Sequence, residues 1–304
     1  MNKILVSVII TTYKRKSDIL SKAIDSILNQ DYKNLELFVV DDSPNDYEFR
    51  TEVEEYCNSI NDPRFNYIKQ SKNMGACVAR NTGIMKSKGK YVCFLDDDDI
   101  YLPNKIKKMV SAIEEDDDIV LVYSDIAMYK NNKLHHKFSD IQKPHDGFVY
   151  DKIMETNFIG PTSIALLRKD ALEKVGMFDP EMEASQDWDV WIRISKIGKV
   201  KYVDEVLFNY YSDCGMSKDR ISNDTSRRIR ALKHLNEKNI EYLNGNSKVF
   251  AARLEYLLRL YIMNNDLKNA IKTYFDIIRK RPLSVIKNLI LIKAFGRIFI
   301  KKSI

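Results

Sequence analysis

The chain has 304 residues, of which 44% are hydrophobic and 30% charged, and it carries a net charge of +6. That length supports a sizeable core and one or two domains, and no run of 18 or more apolar residues marks a transmembrane helix. Cys57, Cys77, Cys93 and Cys214 stand without close pairs, which excludes zinc spacings and a disulfide framework and leaves buried reduced thiols as the expectation.

Met1-Asn2-Lys3 leads straight into an apolar run over 4–11. No signal-peptide pattern is present, so a cytoplasmic location is expected. The run 4–11 hardly alternates, as in a parallel strand buried on both faces. Residues 17–29 have helical spacing, with Ile19, Leu20, Ala23, Ile24, Ile27 and Leu28 on one face and Ser17 as N-cap. A strand over 35–40 ends at Asp41 and Asp42. A helix over 46–59, a strand over 65–68 and a helix over 74–86 closed by Gly89 follow. Then come a strand over 91–95, a helix over 104–115 and a strand over 119–123. This alternation predicts a doubly wound α/β domain whose strand ends share one edge.

The pattern weakens from 125 to 160, and no period registers the sugar-selecting side chains, expected chiefly within 140–165. His135, His136 and His145 lie in polar surroundings and read as surface residues. A strand over 163–168, a helical turn over 169–175 stopped by Gly176, an amphipathic helix over 188–197 and strands over 200–202 and 207–211 come next. Past Met216 the spacing turns helical, over 221–243, 247–263 and 267–280. The domains expected are 1–217 and a helical region, 218–304.

The most informative stretch is Asp96 to Asp99, where an apolar strand runs into four consecutive carboxylates. Strand C-termini are where open α/β sheets bind ligands, and a hard divalent cation makes such crowding tolerable. A second acidic run, Glu114 to Asp118, follows an amphipathic stretch and reads as an exposed helix end.

In order and spacing, the segments Val6–Arg15, Ala23–Gln30, Val40–Asp46, Asn73–Gly83, Gly89–Asp99, Val175–Asp179 and Gln186–Arg193 resemble the family 2 glycosyltransferases over about residues 4–217. The resemblance implies a GT-A (Rossmann-like) fold and an inverting, non-processive enzyme. It also implies a nucleotide-sugar donor, UDP-sugars foremost, and Mn²⁺ or Mg²⁺. It places Thr11 and Tyr13, with Arg15 beside them, and Asp41 and Asp42 at the nucleobase, Asn73 near the ribose and Arg80 at the diphosphate. Asp96 and Asp98 would take the metal, with Asp96 or Asp97 on the ribose; alternate residues of an extended chain point the same way. Asp187 matches the base that deprotonates an acceptor hydroxyl, and it also fits as N-cap of helix 188–197. Trp188 is the candidate for stacking on an acceptor sugar, and Trp191 belongs to the core. Gln186 departs from the acidic residue common before the base. Around 210–217 the family's His is missing, with Asp213 as a substitute. No Gln-x-x-Arg-Trp motif of processive synthases is present.

The acceptors expected are a saccharide, a lipid-linked glycan or a glycoprotein, in polysaccharide or cell-envelope assembly. The segment 283–302 mixes apolar residues with Lys and Arg, as in a packing helix or one lying on the inner face of the cell membrane. Its basic residues alternate with aliphatics rather than aromatics, which argues against nucleic acid. Self-association stays open. The competing functions are a silent nucleotide-sugar-binding partner, against which Asp187 and the acidic run argue, and a sugar nucleotidyltransferase, which lacks its Gly-rich basic loop here.

Overall fold

The computed structural model describes residues 4–130, 133–211 and 224–280. These form two compact units, described separately below; the first comprises 4–153, 157–181 and 186–211, the second 154–156, 182–185 and 224–280. The expected boundary at 217, the stand-in Asp213 and the segment 283–302 lie outside the described residues.

The first unit opens with β1 (Val6–Thr12), α1 (Ser17–Leu28), β2 (Leu35–Asp41), α2 (Arg50–Ser59), β3 (Phe65–Lys69), α3 (Ala76–Lys86) and β4 (Tyr91–Asp96). β5 (Ile100–Tyr101), α4 (Lys105–Ile113), β6 (Ile119–Lys130), β7 (Lys133–Lys137) and α5 (Tyr150–Glu155) follow. β8 (Ala165–Arg168), α6 (Lys169–Lys174), α7 (Gln186–Ile194) and β9 (Lys199–Tyr211) complete it. The strands form one sheet in the order β3-β2-β1-β4-β8-β6-β9-β5, with β7 paired to β6. β1 to β4 are parallel, and the apolar runs of β1, β2 and β4 are buried on both faces, as their lack of alternation requires.

β8 breaks the purely parallel winding, running antiparallel between β4 and β6. β6 and β9 are longer than expected because they pair in parallel through register shifts at Ser124 to Ile126. The two short strands expected over 200–211 are therefore one. Ser17 does not cap α1: Lys16 holds the N-cap position without a side-chain cap, and the Ser17 hydroxyl and N–H donate to Glu52 Oε1. Gly176 ends α6 at φ +86°, the left-handed geometry expected of a helix stop.

Register positions the site. β1 lies between β2 and β4 with Thr12 opposite Asp41 and Thr11 opposite Asp96, so three strand ends finish level. α3 can lie close on β1 because Gly83 has no side chain: a Cβ there would fall 2.6 Å from Ile9 Cγ2.

In the second unit, α8 (Thr225–Lys238), α9 (Ile240–Gly245), α10 (Ser247–Met263) and α11 (Leu267–Lys280) pack as helices. Asp224 caps α8 by accepting from Arg227 N at 3.0 Å, and Asn246 caps α10 by accepting from Val249 N at 3.2 Å. Among the described residues, no helix is long and apolar enough to cross a membrane.

The turn from α3 into β4 has equally little room. A Cβ on Gly89 would meet Ser7 N at 2.7 Å and Tyr91 O at 2.8 Å, both backbone atoms. Gly89→Ala is expected to destabilise the protein by about 1–3 kcal/mol, read as a lower urea midpoint at unchanged m-value.

Candidate active site

At the end of β4 the chain turns instead of continuing extended: Asp99 N donates to Asp96 O at 3.1 Å. The four carboxylates therefore do not alternate, and the argument that pairs Asp96 with Asp98 through strand geometry fails. Asp97 turns inward. Its Oδ2 accepts from Thr12 Oγ1 at 2.8 Å and its Oδ1 from Arg15 Nε at 2.9 Å, and Arg15 also reaches Asp98 Oδ2 at 3.2 Å. Burial pushes the Asp97 carboxyl up, and Arg15 opposes that. Asp99 is buried against Ser163, whose Oγ donates to Asp99 Oδ2 at 3.0 Å and accepts from Asp96 N at 3.1 Å. Asp96 alone of the four has a side chain more than a third exposed, at 37%.

Asp41 and Asp42, at the end of β2, are buried and hydrogen-bonded. Asp41 Oδ1 accepts from Ser43 N and Oδ2 from Tyr67 OH, both at 2.9 Å, with Arg50 Nε at 3.7 Å. Asp42 holds the 74–75 backbone: Oδ1 accepts from Met74 N at 2.7 Å and Oδ2 from Gly75 N at 2.8 Å. Burial raises the Asp42 carboxyl, and these two N–H groups offset the rise. Asn73 Oδ1 accepts from Gly75 N at 3.0 Å. Past β1, Lys14 takes φ 49° and its N donates to Ser43 Oγ, while Tyr13 stands 42% exposed. Thr11, half-buried, faces the same sheet edge by register.

α7 starts at Gln186, two residues before the expected start, so Asp187 lies in its first turn rather than at the N-cap. Asp187 Oδ1 accepts from Trp188 N at 2.8 Å, and Oδ2 from Asn157 Nδ2 at 3.1 Å. Withdrawal from water pushes this carboxyl up to about 6. The Trp188 N–H, Arg80 and Asn157 restrain the rise, and the charge of Asp96 adds to it.

Arg80 joins this end of the site to the acidic turn. It is buried rather than a surface residue, lying over the Phe178 ring with its Cζ 5.4 Å from the centroid. Nη1 donates to Gln186 Oε1 at 2.7 Å and Nη2 to Asp96 Oδ1 at 3.1 Å. Trp188 does not present a ring to an acceptor: it is 4% exposed, and its Nε1 donates to Ile153 O at 2.6 Å. Its place on the inner face of α7 draws it into the core, as Trp191 is drawn, whose Nε1 donates to Gly160 O at 2.9 Å.

Three residues here escape sequence reasoning. Asn157 lies in the segment without periodicity, and Ser163, expected to open the strand over 163–168, sits instead in a short turn over 162–164. Lys105 looks like a surface residue of an amphipathic helix, yet it is fully buried and donates from Nζ to Ile164 O at 2.9 Å, anchoring the turn that carries Ser163. Burial without a carboxylate partner pulls the Lys105 ammonium down to about 7.

Among the described residues, no group of three or more His, Cys, Asp or Glu side chains forms a ready-made metal site. Asp96 and Asp98 supply carboxylate oxygens, the donor type that hard cations take, and each is ion-paired, Asp96 to Arg80 and Asp98 to Arg15.

The sequence profile described as Glycosyl transferase family 2 matches residues 7–176. An uncharacterized glycosyltransferase of Methanocaldococcus jannaschii, MJ1057, is 31% identical over 214 residues, covering 69% of this chain and 71% of the relative. One from Haemophilus influenzae is 26% identical over 91% of this chain and 90% of its own length. Among solved structures, Staphylococcus aureus TarS 1-349 in complex with UDP-GlcNAc superposes with a TM-score of 0.65 at 18% identity, covering 91% of this chain and 81% of that one. The mannosyltransferase PcManGT from Pyrobaculum calidifontis, in complex with GDP-Man and Mn²⁺, gives 0.57 at 18% identity over 93% and 86%. The mixed sheet with its level parallel strand ends is the GT-A fold. The chain belongs to glycosyl transferase family 2, and its enzyme class is glycosyltransferase.

Arg15 is the one cation bonded to both Asp97 and Asp98 among the described pairs. Arg15→Ala leaves a buried carboxylate uncompensated and is expected to cost about 3–5 kcal/mol at pH 8. Asp97 already holds its proton more tightly when folded than when unfolded, and losing Arg15 strengthens that preference. Stability then falls as pH rises through the folded-state titration and recovers on acidification. Urea melts at pH 5 and pH 8 should show the smaller deficit at pH 5.

Proposed function

We propose that the protein is an inverting, non-processive, metal-dependent transferase that moves one sugar from a nucleotide-sugar to a hydroxyl of a saccharide, lipid-linked or glycoprotein acceptor, with residues 1–217 as the catalytic domain and 218–304 as a helical accessory region. The observation that carries this reading is the Arg80 bridge. One buried guanidinium touches both the exposed carboxylate of the acidic turn and the residue next to Asp187, so the donor-binding groups and a base share one crevice.

Asp187 takes the proton of the acceptor hydroxyl, whose oxygen attacks the anomeric carbon from the face opposite the leaving group. As that bond forms, the bond from the anomeric carbon to the diphosphate oxygen breaks, and its electron pair leaves with the nucleoside diphosphate. A carboxyl titrating at about 6 is ionised at neutral pH yet basic enough to share a proton in the transition state. Asp96 and Asp98 would hold Mn²⁺ or Mg²⁺, which when bound neutralises charge developing on the diphosphate. Arg80 lies beside Asp96, where it can add positive charge for the donor phosphates. Tyr13 offers an exposed ring to the nucleobase, Thr11 and Asn73 stand at the same end, and the buried Asp41 and Asp42 hold the turns there. UDP-sugars are the first donors to test, since the structural relative of highest overlap quoted above holds UDP-GlcNAc.

Hydrolysis of UDP-, GDP- and TDP-sugars with Mn²⁺ and with EDTA tests the reading. Turnover of one donor that EDTA abolishes is expected, and no turnover or binding of any donor would overturn it. Asp187→Asn should slow that turnover by about 10²–10⁴-fold, with the thermal melt retained. In the wild type, kcat/KM should fall tenfold per pH unit below about 6, the position set by Asp187.

A further inference from the structure

Asn157 is the neighbour of Asp187 whose role is least visible from sequence. Gly160 fixes its orientation: Gly160 N donates to Asn157 Oδ1 at 3.0 Å, so the Nδ2 end must face the carboxylate. Gly160 is itself held. It takes φ +101°, a conformation that suits glycine, and its carbonyl accepts from Trp191 Nε1 at 2.9 Å. The core tryptophan of α7 thus anchors the loop that presents Asn157 to the carboxylate on the same helix. We propose that Asn157 is the positioning residue for Asp187: with its Oδ1 occupied by Gly160 N, its carboxamide meets Asp187 through the donating Nδ2, which holds Oδ2 while the Trp188 N–H holds Oδ1, so that the carboxylate meets the acceptor hydroxyl ionised and in one orientation.

The inference rests on Asp187 being the base proposed above. The charged groups acting on Asp187 are Arg80 from α3 and Asp96 from the end of β4. On its own helix, Asp189 is engaged by Arg193 at 2.6 Å, and Gln186 is neutral. Asn157 is thus the one side chain that hydrogen-bonds the Asp187 carboxylate directly among the described bonds. Donation to a carboxylate favours its charged form, so removing Nδ2 must make Asp187 harder to ionise.

The test begins with the ligand-free full chain, by ¹³C titration of aspartate carboxyl groups with Asp187 assigned through Asp187→Asn. Asn157→Ala is expected to raise the midpoint by about one pH unit. Asn157→Asp keeps the shape and an acceptor for Gly160 N, but sets a carboxylate against Asp187, and should raise the midpoint further. Asn157→Ala should also move the acid limb of sugar-nucleotide hydrolysis upward by the same amount, with kcat recovering at high pH. Titrations and acid limbs that superimpose on the wild type, with a uniform loss of rate, would overturn the positioning role and leave the base assignment standing. Full turnover by Asp187→Asn would remove the base itself, and the positioning role with it, whatever the titration shows.

Discussion

Three strand ends that finish level bring more carboxylate to one edge of the sheet than water alone could accommodate. Thr11 opposite Asp96 and Thr12 opposite Asp41 is a backbone register, set by the apolar faces of β1, β2 and β4. It obliges Asp41, Asp42 and the run from Asp96 to Asp99 to share a small region. The protein manages this by assigning most of them to other partners. Asp41 and Asp42 bind the turns that follow them, Asp97 binds Thr12 and Arg15, and Asp99 binds Ser163. Asp98 is nearly buried against Arg15, and the most exposed of the four is Asp96, which Arg80 engages from one side. The openness of the site follows from this allocation: a full cage of protein ligands would leave no coordination positions for a diphosphate.

Much of this was legible in the sequence because it depends on local patterns. Uninterrupted apolar runs marked the buried parallel strands, helical spacing marked α1, α3 and α4, and the acidic residues sat at the ends of two of those runs. Long-range pairing was not legible. β8 runs antiparallel to both β4 and β6, and nothing within 163–168 announces its direction. The strand over 199–211 reads as two pieces because Asp204 and Glu205 interrupt its apolar character, while pairing with β6 carries it through. Trp188 illustrates the same limit. An aromatic beside a catalytic carboxylate suggests stacking, but in the first turn of a helix neighbouring positions point in directions about 100° apart, and the direction next to Asp187 leads into the core.

The residues that sequence reasoning missed act through geometry that no spacing encodes. Ser163 reaches Asp96 and Asp99 from 67 and 64 positions away, and its turn is held by a buried lysine. Such a lysine is costly as an ammonium, which is why burial pulls it down to about 7. It is tolerated because Ile164 O accepts a hydrogen bond from Nζ and the Tyr101 ring lies 4.6 Å from Nζ. The acidic turn therefore depends on groups that are themselves far from the reacting atoms.

Gln186 gives the departure from the family pattern a physical meaning. A carboxylate at 186 would stand beside Asp187 and against Arg80 Nη1. It would raise the Asp187 carboxyl by like-charge repulsion, and it would set two carboxylates on Arg80, one from each end of the site. The neutral carboxamide still accepts the 2.7 Å hydrogen bond that fixes the guanidinium but leaves its charge uncancelled from that side. Arg80 then keeps more of its positive field for Asp96, and the titration of Asp187 is set by burial, the Trp188 N–H, Arg80, Asn157 and Asp96, with no charge at 186 to add to them. Arg80 thus acts on Asp187 across space, as a guanidinium that touches both Asp96 and the residue beside Asp187.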